Sequence, residues 1–158
     1  SPGFTKAELN LARLQSVTDD WAVLLSASGQ VASDALYSSE EFGYGGQSFG
    51  RAFDDSEIVG DNGFTAAAEV RYGGWKDIEP LSIQPYAFID TGQVWNYDRG
   101  QSAHDTGSSI GLGMRFATDT GQSGNIGAAF PINRDIETPI YGMGKAGPRI
   151  ILQMTQEF

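Results

Sequence analysis

Nearly every long segment of this chain alternates apolar and polar residues with a period of two, and the polar side is mostly small and uncharged. A period of two places successive side chains on opposite faces of a strand. Over 106–116, Ile110, Leu112, Met114 and Phe116 share one face, while Ser109, Gly111, Gly113 and Arg115 share the other. Over 63–72, Phe64, Ala66, Ala68, Val70 and Tyr72 oppose Gly63, Thr65, Ala67, Glu69 and Arg71. Ile126, Ala128, Phe130 and Ile132 oppose Asn125, Gly127, Ala129 and Pro131. Trp21, Val23, Leu25, Ala27 and Val31 oppose Ala22, Leu24, Ser26, Ser28 and Gln30, and Ala7, Leu9 and Leu11 oppose Lys6, Glu8 and Asn10. Over 82–96, Ile83, Ala87, Ile89 and Trp95 stand against Gln84, Asp90 and Asn96. Over 149–158, Ile150, Leu152, Met154 and Phe158 share a face, interrupted by Gln156. The sum is about seven strands of about ten residues each, the length that a tilted strand needs to cross a bilayer.

Two architectures share this alternation. In a soluble antiparallel sandwich the apolar faces meet in a core and the polar faces carry Lys and Glu into water. In a transmembrane barrel the apolar faces meet lipid and the polar faces line a wet lumen. Gly, Ser, Gln, Asn and Thr dominate the polar faces here, which favours the lumen. Trp21, Tyr72, Trp75, Trp95, Phe116 and Phe158 fall at or near strand ends, where interface girdles place aromatic rings.

Composition removes other classes. The formal net charge of −10 argues against a nucleic-acid partner, since phosphate contacts need clustered Lys and Arg. With no cysteine and one histidine, disulfides, thiolate metal sites and a multi-histidine centre are excluded within the chain. The 21 glycines are too many for a helical bundle. No apolar run approaches the roughly 18 residues of a spanning helix. The chain begins almost directly in a strand-like pattern, which suggests an excised fragment or a processed product.

If Phe158 lies at the periplasmic side, the links alternate between two sides. Residues 16–20, 73–81 and 117–124 lie inside, and 32–62, 97–105 and 133–148 outside. Short turns on one side and longer loops on the other are the outer-membrane layout. The 32–62 link is too long for filler and is expected to have a job.

That link contains Glu41-Phe42-Gly43-Tyr44-Gly45-Gly46-Gln47-Ser48-Phe49-Gly50-Arg51-Ala52-Phe53-Asp54. It resembles the sixth extracellular loop of two-partner secretion transporters of the haemolysin-activator or filamentous-haemagglutinin secretion type. The family's loop tip carries Val/Ile-Arg-Gly-Tyr/Phe. The matching stretch is Gly50-Arg51-Ala52-Phe53, which keeps Arg51 and Phe53 and departs at Gly50 and Ala52. A second element, Phe88-Ile89-Asp90-Thr91-Gly92, resembles the family's Phe-x-Asp-x-Gly strand, which carries an inward Asp. A third, Leu152, Met154 and Phe158, resembles the C-terminal signal read by the barrel-insertion machinery.

The resemblance implies that 1–158 is one C-terminal part of an outer-membrane β-barrel, the last seven of about sixteen strands. It implies export of a partner polypeptide, an adhesin or haemolysin, with POTRA domains elsewhere. It also implies a lock between Arg51 in the loop and Asp90 on the barrel wall. Chemically, Arg51 offers a planar donor fork for a carboxylate, and an ionised Asp90 in the lumen needs a partner or water. A competing expectation leaves Arg51 exposed and pairs Asp90 with Arg71 or Arg115.

Other features point to less. The acidic run Asp54, Asp55, Glu57 and Asp61 lacks the EF-hand spacing and reads as a solvated loop. The glycines of 43–50 are not followed by Gly-Lys-Ser/Thr, so they form no phosphate loop. His104 reads as a surface residue of an outer loop. Glu69 and Arg71, two apart on one face, are expected to satisfy each other or water. A hydrolase using Asp90 and Glu69 would need a fixed separation that the sequence does not supply. The activity that the resemblance implies is transport without covalent catalysis, and no cofactor or metal is expected. The alternatives are a sister barrel that inserts membrane proteins and a soluble all-β binding module. Seven strands leave two open edges, so the piece alone is expected to oligomerise through them or curl into a smaller sheet.

Overall fold

The computed structural model describes residues 3–73, 80–97, 104–135 and 147–158. Seven long strands form one sheet: β1 (Lys6–Ser16), β2 (Trp21–Ala32), β5 (Asn62–Tyr72), β6 (Leu81–Trp95), β7 (His104–Thr118), β8 (Gln122–Asp135) and β9 (Arg149–Gln156). Each is antiparallel to its sequence neighbour, in the order β1-β2-β5-β6-β7-β8-β9. The 32–62 link adds a small hairpin of its own, β3 (Phe42–Tyr44) with β4 (Ile58–Gly60). No helix occurs among the described residues.

All seven expected strands form, and several boundaries move: β7 runs on to Thr118 and β8 starts at Gln122, so the expected 117–124 link is a turn over 119–121, and the last strand stops at Gln156. His104 is the exposed first residue of β7, not part of a loop, and β8 continues past Asn133 to Asp135. Residues 74–79, with Trp75, and most of the two later outer links lie outside the described residues. Pro131, which has no N–H to give a ladder, sits where the β7–β8 register shifts between Ser108 and Ser109. β1 and β9 each pair on one side only among the described residues, so the sheet is open.

Burial is inverted relative to a soluble sheet. On β7, Ile110 and Leu112 are 44% and 62% exposed, while Ser109 between them and the loop is fully buried. On β5, Phe64 and Val70 face outward and Thr65 and Glu69 are buried. Leu9, Leu11, Leu25, Ile89, Met114 and Ile126 extend the apolar outer surface over the sheet. A continuous apolar face of that extent is stable only against an apolar surrounding. This overturns the soluble module, whose apolar faces would have covered each other. Trp21 and Tyr72, directly opposite in register, pack with ring centroids 4.8 Å apart at one rim, and Trp95 stands at the other.

The buried apolar cluster lies on the opposite, polar face. The loop contributes Tyr44, Ala52, Phe53 and Ile58, and the sheet contributes Tyr86, Phe88, Val94 and Ala129. The 32–62 link therefore folds back across the polar face of the sheet. At its base, Asp61 accepts the backbone N–H groups of Leu36 and Tyr97, and Asn62 accepts that of Ala32. Asp54 and Asp55 are exposed as expected, whereas Glu57 and Asp61 are buried with partners, so only half of the acidic run is the solvated stretch expected of it.

Candidate functional site: the loop seat on the lumen face

The loop tip is a tight turn built around Gly50. Its φ of 71° is a left-handed conformation that glycine adopts without cost. The Gly50 carbonyl accepts the N–H of Phe53 at 2.8 Å and that of Gly46 at 3.3 Å. A Cβ at position 50 would meet Gly45 backbone at 2.8 Å, so the departure from Val/Ile suits this turn. The turn buries Phe53 completely and presents Arg51 to the sheet.

The three motif positions on β6 share one face because they are two apart. Each has a distinct job. Phe88 lies under the Arg51 guanidinium, 4.2 Å from ring centroid to Cζ, a cation–π contact. Asp90, 2% exposed, accepts the Tyr44 hydroxyl at 2.7 Å and the Ser109 hydroxyl at 2.5 Å on one oxygen. Its other oxygen accepts the Arg51 backbone N–H at 3.4 Å. Gly92 leaves room for the Tyr44 ring, which also packs against Phe53 at 5.3 Å between centroids. Burial, followed by the charge of Asp90, raises the Tyr44 phenol well above its ordinary pKa, so it remains a donor.

Arg51 and Asp90 therefore meet, but through the Arg51 backbone. The expected side-chain pair is replaced by another: Arg51 Nη1 lies 2.7 Å from Glu69 Oε2 on β5. The reason is reach. With its main chain already at Asp90, the long Arg51 side chain passes over Phe88, which pairs with Glu69 in the β5–β6 register. The competing expectation also fails, since Arg71 and Arg115 do not turn to Asp90. Arg71 Nε and Arg115 Nη1 hold Glu69 Oε1 at 2.7 and 2.8 Å. Glu69 thus lies 1% exposed beneath three guanidinium groups. Arg115 in turn stacks on Tyr86, 4.1 Å from the centroid, and Tyr86 donates to Asn125 at 2.7 Å.

Sequence reading foresaw Glu69 with Arg71 and missed three members: Tyr44 as donor, Ser109 opposite Asp90, and Glu69 as the acceptor for Arg51. Tyr44 had a signal, an aromatic ring between Gly43 and Gly45 in an otherwise small-residue stretch. Both carboxylates are engaged, Asp90 by hydroxyls and Glu69 by cations, which is a binding arrangement and offers no free acid–base pair. Among the described residues no group of His, Asp and Glu is arranged to hold a metal. Tyr44→Phe should weaken the loop seat by about 1–3 kcal/mol, because it leaves a buried carboxylate short of a donor. The check is a double-mutant cycle with Asp90→Asn on protease access to the loop. Additive effects would mean that the two side chains do not act as a pair.

The sequence matches the family of haemolysin secretion/activation proteins ShlB/FhaC/HecB over residues 1–114. The chain belongs to that family. It is 28% identical over 111 residues to the outer membrane transporter CdiB of Dickeya dadantii (strain 3937), a match covering 69% of this chain and 20% of that protein. Its fold is similar to that of CdiB from Escherichia coli, with a TM-score of 0.77 at 22% identity, over 96% of this chain and 27% of the other. The chain thus spans about a fifth to a quarter of the length of these relatives. Membership places it in the bacterial outer membrane and makes its open antiparallel sheet part of a transmembrane barrel. In this family setting the exposed apolar faces are lipid-facing and the Arg51–Glu69 cluster lies on the lumen side.

Proposed function

We propose that the protein carrying this chain is the outer-membrane pore of a two-partner secretion system and exports a large partner polypeptide of the adhesin or haemolysin kind. Family membership supports the transporter reading, and the relative named an outer membrane transporter agrees with it. The observation that carries the local role is the seat of the loop. Arg51, Phe53 and Tyr44 attach it to the lumen face at Glu69 and Asp90, where it occupies space that an exported chain needs. On this reading Arg51, Phe53 and Asp90, with Gly50, Phe88 and Gly92 in support, lock the loop to the barrel. Phe158, fully exposed beyond β9, serves recognition by the barrel-insertion machinery. The open edges β1 and β9 must be covered by further strands, because lipid leaves unpaired backbone unsatisfied.

The test is Arg51→Ala in the full-length protein. Secretion of the partner should fall by at least about tenfold, while the amount of folded, heat-modifiable barrel in the outer membrane is unchanged. Glu69 keeps Arg71 and Arg115 in that variant, so insertion has no reason to fail. Secretion at the parental level would sink the proposed role of the lock.

A further inference from the structure

The loop touches the sheet at a second charged station, and there the polarity is reversed. At the first station the loop supplies the cation, Arg51, to a carboxylate on the wall. At the second it supplies carboxylates to cations on β8 and β9. Residues 54–57 close a small turn: Glu57 N–H donates to the Asp54 carbonyl at 3.0 Å, and Asp54 N–H donates to Glu57 Oε2 at 3.0 Å. The other Glu57 oxygen pairs with Arg134, near the end of β8. Asp54 pairs with Arg149, the first residue of β9, and Arg149 Nη1 also donates to the Phe53 carbonyl at 2.7 Å.

Two features make this more than surface decoration. Glu57 is buried, and a buried carboxylate without its counter-charge is strongly unfavourable. β9 is the shortest of the long strands, 8 residues, and begins at Arg149. A strand end frays unless something holds it. Arg149 sits at that end and is gripped by the loop.

We propose that Asp54 and Glu57 on the loop, with Arg134 and Arg149 on the wall, form a latch separate from the Arg51–Glu69 seat. Its role is to hold the start of β9. Arg134 and Arg149 are positioning residues, and the order of the last strand depends on the return limb of the loop, not on its tip. The inference goes beyond the transport reading and does not need it.

The experiment is amide hydrogen exchange on the full-length protein in lipid vesicles. Three chains are compared with the parent: the loop-side double variant Asp54→Asn with Glu57→Gln, Arg51→Ala, and the charge swap Asp54→Arg with Arg149→Asp. The double variant leaves β9 itself untouched, yet exchange at 149–152 should rise by at least about tenfold. Arg51→Ala should leave those amides within about twofold of the parent, and the swap should restore their protection. Should the double variant fail to insert, Asp54→Asn alone keeps the Glu57–Arg134 pair and is read in the same way. Unchanged exchange at 149–152 in the loop-side variant overturns the latch. Equal acceleration by Arg51→Ala overturns its separateness. Secretion is not part of the readout, so a failed export assay leaves this result standing.

Discussion

Glu69→Ala should destabilise the barrel by about 3–5 kcal/mol, because it strips the counter-charge from a buried cluster and leaves its cations facing one another. Three guanidinium groups converge on that one carboxylate, at 2.7, 2.7 and 2.8 Å. Removing any one arginine is milder, since Glu69 retains two others. Removing the carboxylate breaks every pair at once. Glu69→Gln keeps an acceptor but no charge and should fall between parent and Ala. Urea unfolding in lipid vesicles, followed by tryptophan emission, reads the difference. The effects should also be non-additive: Arg51→Ala made in the Glu69→Ala background should cost little further, or even relieve repulsion. A midpoint unchanged by Glu69→Ala would mean that water, not the carboxylate, balances the arginines.

Gly92→Val should unseat the loop without unfolding the sheet. A Cβ at Gly92 would lie 2.2 Å from the Tyr44 ring, and Tyr44 is fully buried with no space to retreat into. Gly107, directly opposite Gly92 in the β6–β7 register, would bring its own Cβ within 2.8 Å of the same ring. The ring thus lies over a pair of facing glycines. Overpacking of this kind costs about 1–3 kcal/mol when the surroundings can shift. Here the available shift is departure of Tyr44, which also forfeits its bond to Asp90 and its packing on Phe53. Trypsin should then cut after Arg51 at least about tenfold faster than in the parent, while the barrel stays heat-modifiable. An unaltered cleavage rate would show that the loop seat tolerates a branched side chain at 92 and does not depend on this contact.

The two variants act on different parts of one device. Glu69 belongs to the electrostatic half, where the net energy is a balance of desolvation and pairing. Gly92 belongs to the steric half, where a missing side chain is the functional feature. Arg51 joins them: its backbone N–H is at Asp90, its guanidinium is at Glu69, and Phe88 lies between.

Much of the fold was legible because strand alternation is local. Ile110, Leu112 and Met114 against Ser109, Gly111 and Gly113 could be read without knowing any neighbour, and the same holds for the Phe88, Asp90 and Gly92 spacing that puts three motif residues on one face. The glycines of the polar face were visible too, although their purpose, room for Tyr44, Phe53 and Ile58, was not. Asp54 and Asp55 are exposed as expected, but the burial of Glu57 was not legible, because its partner Arg134 lies far along the chain.

By itself the sequence determined the strands, their two faces and the residues available for a lumen site, since a two-residue period encodes these within each segment. Tertiary structure decided the pairings. Which carboxylate receives Arg51 depends on where a long loop crosses the sheet and on a register that sets Phe88 beside Glu69. Both are long-range, and a slip of one residue would turn every side chain to the other face. Alternation alone is symmetric about which face is buried; the small polar residues of one face tilt that choice, and the loop that covers the polar face and leaves the apolar one to lipid completes it.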